Sequence, residues 1–279
     1  MAKVLKAEHI HGDLIKEIKE SICGAISLAS VRIGDDYSSG VYFSQQEKLA
    51  SELAVDYKAV VLPKSISMSD FAAKISELNC DDSINGIVIN KPFPSNWKEE
   101  EVFSLIDAKK DIEGMNPYSL GLLIMGRPMF VSPTVKSILK FISLTGVDLK
   151  GKEVVIVGAS MLIGRPLAPI LTNMMATVSV THIETYNSGH LPDYLKRADI
   201  IVSSVGKADL IKAEWVKEGA VVIDVGISRK DGHIAGDVEF DGVSKKASFI
   251  TPVPGGVGKL TTLFLFGNLV KAAKNKCRK

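Results

Sequence analysis

One segment, residues 153–164, constrains the fold of this chain more than any other. It reads EVVIVGASMLIG, a β-branched apolar run that breaks at Gly158 and ends at Gly164, ahead of Arg165. The pattern predicts a buried parallel strand followed at once by a helix. Glycine lets the backbone approach a ligand closely, and the start of a helix offers unpaired N–H donors to a phosphate. The spacing Gly-x-Ser-x-x-x-Gly, with Ser160 at its third position, therefore indicates a dinucleotide site, although it differs from Gly-x-Gly-x-x-Gly.

Composition narrows the class of protein. With 279 residues, the chain has room for two compact domains, and 46% hydrophobic with 24% charged residues is typical of a globular protein. The 34 basic and 32 acidic residues nearly cancel, giving a net charge of +2. This balance gives no reason to expect a nucleic acid or a membrane surface as partner.

The cysteines argue against a disulfide framework and against a zinc site. Cys23, Cys80 and Cys277 are far apart, lack CxxC spacing and have no nearby histidine. We expect reduced thiols, no metal centre and a cytoplasmic location. The first twenty residues are charged throughout, unlike a signal peptide, and no apolar run reaches the length of a membrane span.

Helices and strands alternate along the first part of the chain. Apolar residues at helical spacing predict a helix from Gly12 to about Ser27 and another from about Val41 to Leu53. Apolar runs ending at Gly34, Pro63 and Pro92 predict three strands. Strands that alternate with helices at this interval predict βαβ units and a parallel sheet.

The second part repeats this alternation with four strand-like runs, Glu153–Val157, Ala176–Glu184, Ala198–Gly206 and Gly219–Ile227. We therefore predict an α/β protein with two domains and a cleft between them. Residues 1–130 would form one domain, with a helix over 260–276 packing back on it, and residues 131–259 a Rossmann-type dinucleotide-binding domain.

Several loops at strand ends are candidate sites. Ligands of doubly wound sheets collect at the carboxyl ends of strands, which would place Val205 and Gly206 in the cofactor site, but taken alone this segment is better explained as an ordinary strand-to-loop turn. The loop 250–262 holds two prolines and three glycines, and we favour a loop shaped around a flat ligand over the alternative of a rigid turn between elements. Tyr42, the Asn90–Pro92 segment and the acids of residues 111–114 fall at one predicted sheet edge. Each of these also fits a half-buried aromatic or a solvated loop.

Taken together, the motifs resemble those of the methylenetetrahydrofolate dehydrogenase/cyclohydrolase family over nearly the full length of the chain. Any single motif is weak, but seven in the same order are specific. The matching segments are VRIGDDYSSGVYF (31–43), NGIVINKPFP (85–94), KDIEGMNPYSLG (110–121), VIVGASMLIGRP (155–166), VIDVGIS (222–228), AGDVEF (235–240) and TPVPGGVGKLTT (251–262).

The resemblance implies a folate-binding α/β domain, a Rossmann-type domain, a homodimer and NADP or NAD as cofactor. It implies oxidation of 5,10-methylenetetrahydrofolate to the methenyl cation, followed by hydrolysis of that cation to 10-formyltetrahydrofolate. The implied catalytic positions are Tyr42, Gln46, Asn90, Lys91 and Glu113. The implied substrate contacts are Tyr42, Glu113, Pro254, Gly255 and Gly256, and the implied cofactor contacts are Gly158, Ser160, Gly164, Arg165, Ile183, Glu184, Val205, Gly206 and Ile227.

This chain departs from the family pattern where hydrolysis is catalysed. The family's Tyr-x-x-x-Lys ends here in Gln46, whose amide does not titrate. The family's strand-end glutamine is Asn90 and its folate-anchoring aspartate is Glu113, while Lys91 and Lys259 replace an apolar residue and a proline. We expect the dehydrogenase step to survive and the hydrolysis to be weak or absent. The alternative is that Lys91 supplies the missing amine.

The second Rossmann strand bears on cofactor choice. It ends near Ile183 and Glu184, where an acidic side chain favours the free ribose hydroxyl of NAD and repels the 2′-phosphate of NADP. We therefore favour NAD, with Arg165 as a possible partner for a 2′-phosphate. Two other functions stay open from the sequence: a different two-domain NAD(P) dehydrogenase, and a catalytically silent nucleotide-binding homologue.

Overall fold

The computed structural model describes residues 1–277, apart from the side chains of residues 37–39 and 277, so the thiol predicted at Cys277 lies outside the described atoms. The strands are β1 Lys3–Val4, β2 Ser27–Ile33, β3 Asp56–Leu62, β4 Gly86–Ile89, β5 Glu153–Val157, β6 Thr177–Thr181, β7 Ile200–Ser203, β8 Val221–Asp224, β9 Ser228–Lys230, β10 His233–Ala235 and β11 Phe249–Ile250. The helices are α1 Glu8–Ser21, α2 Tyr37–Glu52, α3 Met68–Cys80, α4 Glu99–Ser104, α5 Pro117–Ile124, α6 Pro133–Leu144, α7 Gly164–Asn173, α8 Ile183–Asn187, α9 Leu191–Arg197, α10 Phe240–Val243 and α11 Gly258–Cys277, with a short 3₁₀ turn at Ala213–Trp215.

The chain folds into two compact units, each with its own sheet. The six-stranded unit comprises residues 1–12 and 134–261, and the three-stranded unit comprises residues 13–133 and 262–279. The predicted α/β class with two domains is confirmed. The free thiols of Cys23 and Cys80 are both exposed and both belong to the three-stranded unit.

The six-stranded unit is built on a parallel sheet with strand order β1-β11-β8-β7-β5-β6. Its central strands β5, β7 and β8 are buried along almost their whole length, as expected for a parallel sheet covered on both faces. From β5 the chain moves to β6 on one side and then to β7 on the other. The carboxyl ends of β5 and β7 thus flank the switch point of the strand order, where doubly wound sheets bind their ligands.

The six-stranded unit also contains strand pairings beyond the four predicted strands, one of them in a separate two-stranded sheet. Strand β1 pairs with β11, with Lys3 opposite Phe249. Residues 1–12 therefore group with the six-stranded unit and not with the rest of the domain predicted for residues 1–130. A short antiparallel hairpin, β9 with β10, follows β8. These elements are two or three residues long.

The three-stranded unit has a parallel sheet with strand order β3-β2-β4. On β2, alternate residues face opposite sides: Ala29 and Val31 join the apolar core with Phe71 and Ile75 of α3, which turns Ser30 toward the other face. Helix α2 meets that other face, where Ser30 contacts its residue Gln46.

Helix α11 contributes its C-terminal part to the three-stranded unit. The Asn268 side-chain amide donates to the carbonyls of Ile112 and Val131, at 2.7 and 2.8 Å. The helix begins at Gly258, two residues before its predicted start at residue 260, and Lys259 and Leu260 donate backbone hydrogen bonds of turn type to Gly256 and Val257. Among the helices of residues 1–277, none is both long and apolar enough to cross a bilayer.

Candidate active site

A closed ring of three buried polar side chains occupies the face of the three-stranded sheet that α2 covers. Ser30 Oγ donates to Gln46 Oε1 at 2.7 Å, Gln46 Nε2 donates to Asn90 Oδ1 at 3.1 Å, and Asn90 Nδ2 donates back to Ser30 Oγ at 2.8 Å. The second proton of the Asn90 amide goes to the Val31 carbonyl at 3.0 Å. Every member of this Ser30–Gln46–Asn90 ring is neutral, and each side chain finds a hydrogen-bond partner in the other two.

Two tyrosines border the ring. The Tyr57 hydroxyl lies 3.3 Å from both Gln46 Oε1 and the Phe43 carbonyl, and burial raises the pKa of Tyr57 to about 12. Burial also raises the pKa of Tyr42, and the nearby carboxyl of Glu113 raises it further. Both phenols are therefore fully protonated near neutral pH.

Glu113 projects from a loop that a neighbouring carboxylate shapes. Asp111 is completely buried, and its two oxygens accept hydrogen bonds from the backbone N–H groups of Met115 and Asn116, at 3.0 and 2.8 Å. Gly114 turns the chain with a φ of +70°, where a Cβ would lie 2.9 Å from the Phe130 carbonyl oxygen. The hydrogen bonds of Asp111 fix the backbone of this loop and thereby the position of Glu113.

The charge state of Glu113 differs from that of an ordinary carboxyl. Burial raises its pKa to about 8, the charge of Asp111 adds to the rise, and the charge of Lys91 opposes it. Lys91 itself forms an ion pair with Glu99 on α4. The structure thus brings Tyr42, Gln46, Asn90 and Glu113 together, with Lys91 engaged by another carboxylate.

This cluster is better suited to binding a heterocycle than to moving protons. Amides cannot titrate, both phenols have raised pKa values, and Glu113 is mostly protonated at pH 7. Sequence reasoning missed Ser30 and Tyr57. The spacing of Ser30 relative to the apolar residues of β2 could have indicated a polar residue facing α2.

In the six-stranded unit, the turn between β5 and α7 has the shape predicted from its glycines. Gly158 has a φ of +114°, and a Cβ on Gly164 would lie 1.9 Å from the Gly158 carbonyl oxygen. Only glycine fits at either position, so helix α7 starts directly against the end of β5. Ser160 Oγ accepts from the Ile163 N–H at 3.2 Å. A dinucleotide diphosphate fits this strand–turn–helix.

Other predicted cofactor residues lie at the ends of neighbouring strands. Ile183 and Glu184, both exposed, begin α8 directly after β6, and Glu184 Oε1 accepts from Asn187 at 3.2 Å. The Arg165 guanidinium contacts the Ala159 carbonyl oxygen at 3.0 Å and Met161 Sδ at 3.1 Å.

Val205, Gly206 and Ile227 follow β7 and β8. Val205 and Ile227 expose 43% and 65% of their surface, which is unusual for apolar side chains and is expected where a ligand covers them. Gly206, at a φ of +78°, would place a Cβ 3.5 Å from the Ile227 carbonyl oxygen, so these two loops adjoin.

The loop of Pro254, Gly255 and Gly256 belongs to the six-stranded unit. The Ala7 N–H donates to the Gly255 carbonyl at 2.9 Å, and Gly255 has a φ of +108°. A Cβ on Gly256 would lie 2.6 Å from the Pro252 carbonyl oxygen. The loop's shape therefore requires its glycines. Within the described part of the chain, no group of three or more His, Cys, Asp or Glu side chains is arranged to hold a metal ion.

Comparison with known families decides between the alternatives. Residues 3–113 match the family model for the tetrahydrofolate dehydrogenase/cyclohydrolase catalytic domain, and residues 132–277 match the model for that family's NAD(P)-binding domain. The chain belongs to the tetrahydrofolate dehydrogenase/cyclohydrolase family. The resemblance found in the sequence is confirmed, and the reading as an unrelated two-domain dehydrogenase is excluded.

Individual members of the tetrahydrofolate dehydrogenase/cyclohydrolase family are similar over their whole length. The bifunctional protein FolD of Clostridium perfringens is 42% identical over 277 residues, covering 97% of this chain and 99% of that one. The FolD crystal structure from Campylobacter jejuni has a TM-score of 0.93 at 37% identity, covering 99% and 100% of the two chains. A FolD structure from Trypanosoma brucei, complexed with NADP cofactor and inhibitor, has a TM-score of 0.93 at 30% identity, covering 100% and 99%.

As a family member, the chain is an NAD(P)-dependent dehydrogenase of folate one-carbon metabolism. Its two matched domains divide the work between a catalytic domain and a nucleotide-binding domain.

Proposed function

We propose that this protein oxidises 5,10-methylenetetrahydrofolate and leaves the methenyl product unhydrolysed. The neutral Ser30–Gln46–Asn90 ring is the observation that carries the proposal, because it occupies the place where the family holds a lysine. Gln46 is completely buried and both ends of its amide are engaged, so it neither accepts nor releases a proton.

Hydride transfer asks little of these side chains. Bound NAD(P)⁺ supplies the hydride acceptor, and the lone pair of the adjacent folate nitrogen expels the hydride, so no proton moves. The protein's part is to hold the folate in position, and we assign this role to Tyr42 and Glu113. A polar ring without net charge leaves this positioning intact.

Hydrolysis has a different requirement. Water must attack the methenyl carbon and lose one proton to a base; the bond from that carbon to one folate nitrogen then breaks, and the departing nitrogen takes up the other proton of the water. A base near the reacting carbon must therefore accept a proton at neutral pH. Gln46 and Asn90 cannot, and Glu113, with a pKa of about 8, is mostly protonated. Lys91 is paired with Glu99.

Assays of the two half-reactions test this proposal. With methylenetetrahydrofolate and NAD⁺ or NADP⁺, we expect the absorbance of the reduced nicotinamide to rise. With methenyltetrahydrofolate in a single-turnover experiment, we expect the hydrolysis rate of buffer alone. Rapid hydrolysis that is lost in Lys91→Met would show instead that Lys91 supplies the amine. Failure of the first assay with both cofactors would identify a catalytically silent homologue.

We further propose that NAD is preferred to NADP. Glu184 begins α8 at the end of β6, where a carboxylate accepts hydrogen bonds from a free ribose and repels a 2′-phosphate. Its neighbour Ile183 offers no polar group, and Arg165 contacts the Ala159 carbonyl.

The ratio of kcat/KM for the two cofactors measures this preference. We expect the wild type to favour NAD⁺ and Glu184→Gln to shift the ratio toward NADP⁺ by about tenfold, the effect of removing one unfavourable charge contact. The matched control is Glu214→Gln, an exposed glutamate before β8, which should leave the ratio unchanged. A wild type that strongly favours NADP⁺ contradicts the assignment.

We also infer a homodimer in the cytoplasm. Strand β6 is the edge of the six-stranded sheet, and Val180 on this strand and Met174 and Met175 just before it expose apolar surface. A second copy of the chain is the partner that the family resemblance implies for this unit. Sedimentation of the wild type as a monomer at micromolar concentration would contradict the dimer.

A further inference from the structure

A buried carboxylate lies beneath the loop that follows β7. Asp237 has no exposed surface, and its Oδ2 accepts hydrogen bonds from Ser203 Oγ at 2.8 Å and from the Val205 N–H at 2.7 Å. Its Oδ1 accepts from the N–H groups of Gly206 and Lys207, both at 2.8 Å. One side chain thus binds three successive backbone amides and a hydroxyl.

Three successive N–H groups that converge on one point form an anion-binding concavity of the kind that binds phosphates in other proteins. Here the anion is the protein's own carboxylate. The amides of residues 205–207 are therefore engaged, and the shape of this turn depends on Asp237. These amides are therefore not available to a dinucleotide, and we expect its diphosphate to bind at the Gly158–Gly164 turn.

A second buried carboxylate, that of Asp224, connects the loop after β8 to the backbone of Asp237. Asp224 accepts from the N–H groups of Gly226, Asp237 and Val238 at 3.0 to 3.1 Å. A Cβ on Gly226 would lie 2.0 Å from Asp237 Oδ1, so only glycine lets the chain pass the carboxylate on its way to Ile227. The loops after β7 and β8 are thus both built around Asp237.

The strand order assigns these loops to one half of the cofactor. In a doubly wound sheet the acid at the end of the second strand, here Glu184 after β6, contacts the adenosine ribose, and the diphosphate lies at the first turn, after β5. Strand β7 lies on the opposite side of β5 from β6. The loop after β7 therefore adjoins the nicotinamide half.

We propose that Asp237 is a positioning residue for the nicotinamide half of the cofactor, acting by holding the turn of residues 205–207 in the shape that accepts it. The inference rests on the proposed function only in taking NAD(P) as the ligand of these strand ends. It assigns Asp237 no contact with the cofactor itself.

The test compares a whole cofactor with its adenosine half. In Asp237→Asn, one side-chain oxygen becomes an NH₂ group that faces amide donors, so the turn must rearrange. We expect the Kd for NAD⁺ to rise about tenfold or more, and the Kd for ADP, which lacks the nicotinamide half, to stay within about twofold. Equal losses for NAD⁺ and ADP, or no loss for either, would overturn the proposal.

Two further variants keep the test decisive. Ser203→Ala removes one hydrogen bond to Asp237 without introducing a donor, so it should fold and show the same selective loss at smaller size. Asp199→Asn is the matched control, because Asp199 precedes β7 and accepts from the Glu153 N–H and from Lys217 at the other end of the strand. We expect it to change stability and to leave both Kd values unchanged.

Because these binding measurements contain no folate, they separate the two proposals. A wild type that fails to oxidise methylenetetrahydrofolate while Asp237→Asn still loses NAD⁺ selectively would refute the proposed function alone. An active wild type whose Asp237→Asn and Ser203→Ala variants bind NAD⁺ normally would refute only the positioning role.

Discussion

At the scale of single residues, we propose that glutamine in place of lysine at position 46 allows the oxidation and prevents the hydrolysis. An amine can exchange a proton with water, whereas the amide of Gln46 is held between Ser30 and Asn90. Asn90 is shorter than the family's glutamine, and its length suits this ring. The replacements at positions 46 and 90 therefore fit each other in a ring that contains no titrating group. Two matched replacements support the loss of hydrolysis more strongly than the absence of one lysine would.

The raised pKa of Glu113 should make folate binding depend on pH. A carboxylate accepts hydrogen bonds from the N–H donors of a pterin ring, and protonation removes much of this capacity. Because its pKa is about 8, the ionised fraction of Glu113 increases as pH rises from 7 to 9. We expect the KM for methylenetetrahydrofolate to fall about tenfold over this range in steady-state assays.

Two variants check that Glu113 is the group responsible. Glu113→Gln should show a higher KM that varies little with pH. Glu101→Gln, which changes an exposed glutamate paired with Lys98, should keep the wild-type profile. A wild-type KM that is constant from pH 7 to 9 would argue against this role for Glu113.

At the scale of secondary-structure elements, the loop carrying Glu113 is fixed to both the sheet and a helix through Lys110. The Ile87 N–H donates to the Lys110 carbonyl at 2.9 Å, which adds the loop beside β4. The Lys110 ammonium donates to the carbonyls of Leu78, Asn79 and Asp81, at 3.0, 2.6 and 2.8 Å. Leu78 and Asn79 belong to the last turn of α3, whose carbonyls have no partner within the helix, and Asp81 is its C-cap residue.

Removing this ammonium should weaken both stability and function. We expect Lys110→Met to lower the free energy of unfolding by about 1 to 3 kcal/mol, because carbonyls at the end of α3 lose a charged donor. The KM for the folate should rise as well, since the loop of Glu113 loosens. Urea unfolding and steady-state kinetics measure the two effects. Lys109→Met, at an exposed neighbouring lysine, should change neither; equal effects of both variants would contradict the capping role.

The sequence predicts elements that depend on adjacent residues, and it does not predict elements that depend on pairing between distant segments of the chain. Strand β5 and the turn to α7 follow from adjacent residues, because a buried strand needs an apolar run and the turn needs Gly158 and Gly164. Strands β1 and β11 have two residues each and exist through pairing across the chain, which periodicity cannot show. Within the ring, the family pattern indicated Gln46 and Asn90, and the alternation along β2 could have marked Ser30 as a polar residue. That the three side chains meet depends on the pairing of β2 with β4, which the sequence does not show.

At the scale of the whole molecule, each unit contains a buried carboxyl with a raised pKa. Burial raises the pKa of Asp224 to about 7 in the six-stranded unit, and that of Glu113 to about 8 in the three-stranded unit. In an unfolded chain both groups would have pKa values near 4. At pH values between the unfolded and the folded pKa, these two carboxyls stay protonated in the folded protein and are ionised in the unfolded chain.

The sign of the resulting pH dependence follows from this proton balance. Where the folded state binds more protons, the free energy of unfolding decreases as pH rises. We expect stability to fall from about pH 5 to pH 8 in urea titrations, and Asp224→Asn to reduce the slope. A stability that increases across this interval would contradict the raised pKa values.

We propose above all that this enzyme keeps hydride transfer and lacks hydrolysis because its Ser30–Gln46–Asn90 ring is neutral. The most direct measurement is the single-turnover hydrolysis of methenyltetrahydrofolate by the wild type, Gln46→Lys and Gln45→Lys. Gln45 is exposed next to the ring residue, so it controls for an added charge. We predict the buffer rate for the wild type and Gln45→Lys, and a faster rate for Gln46→Lys. Rapid hydrolysis by the wild type would contradict the claim.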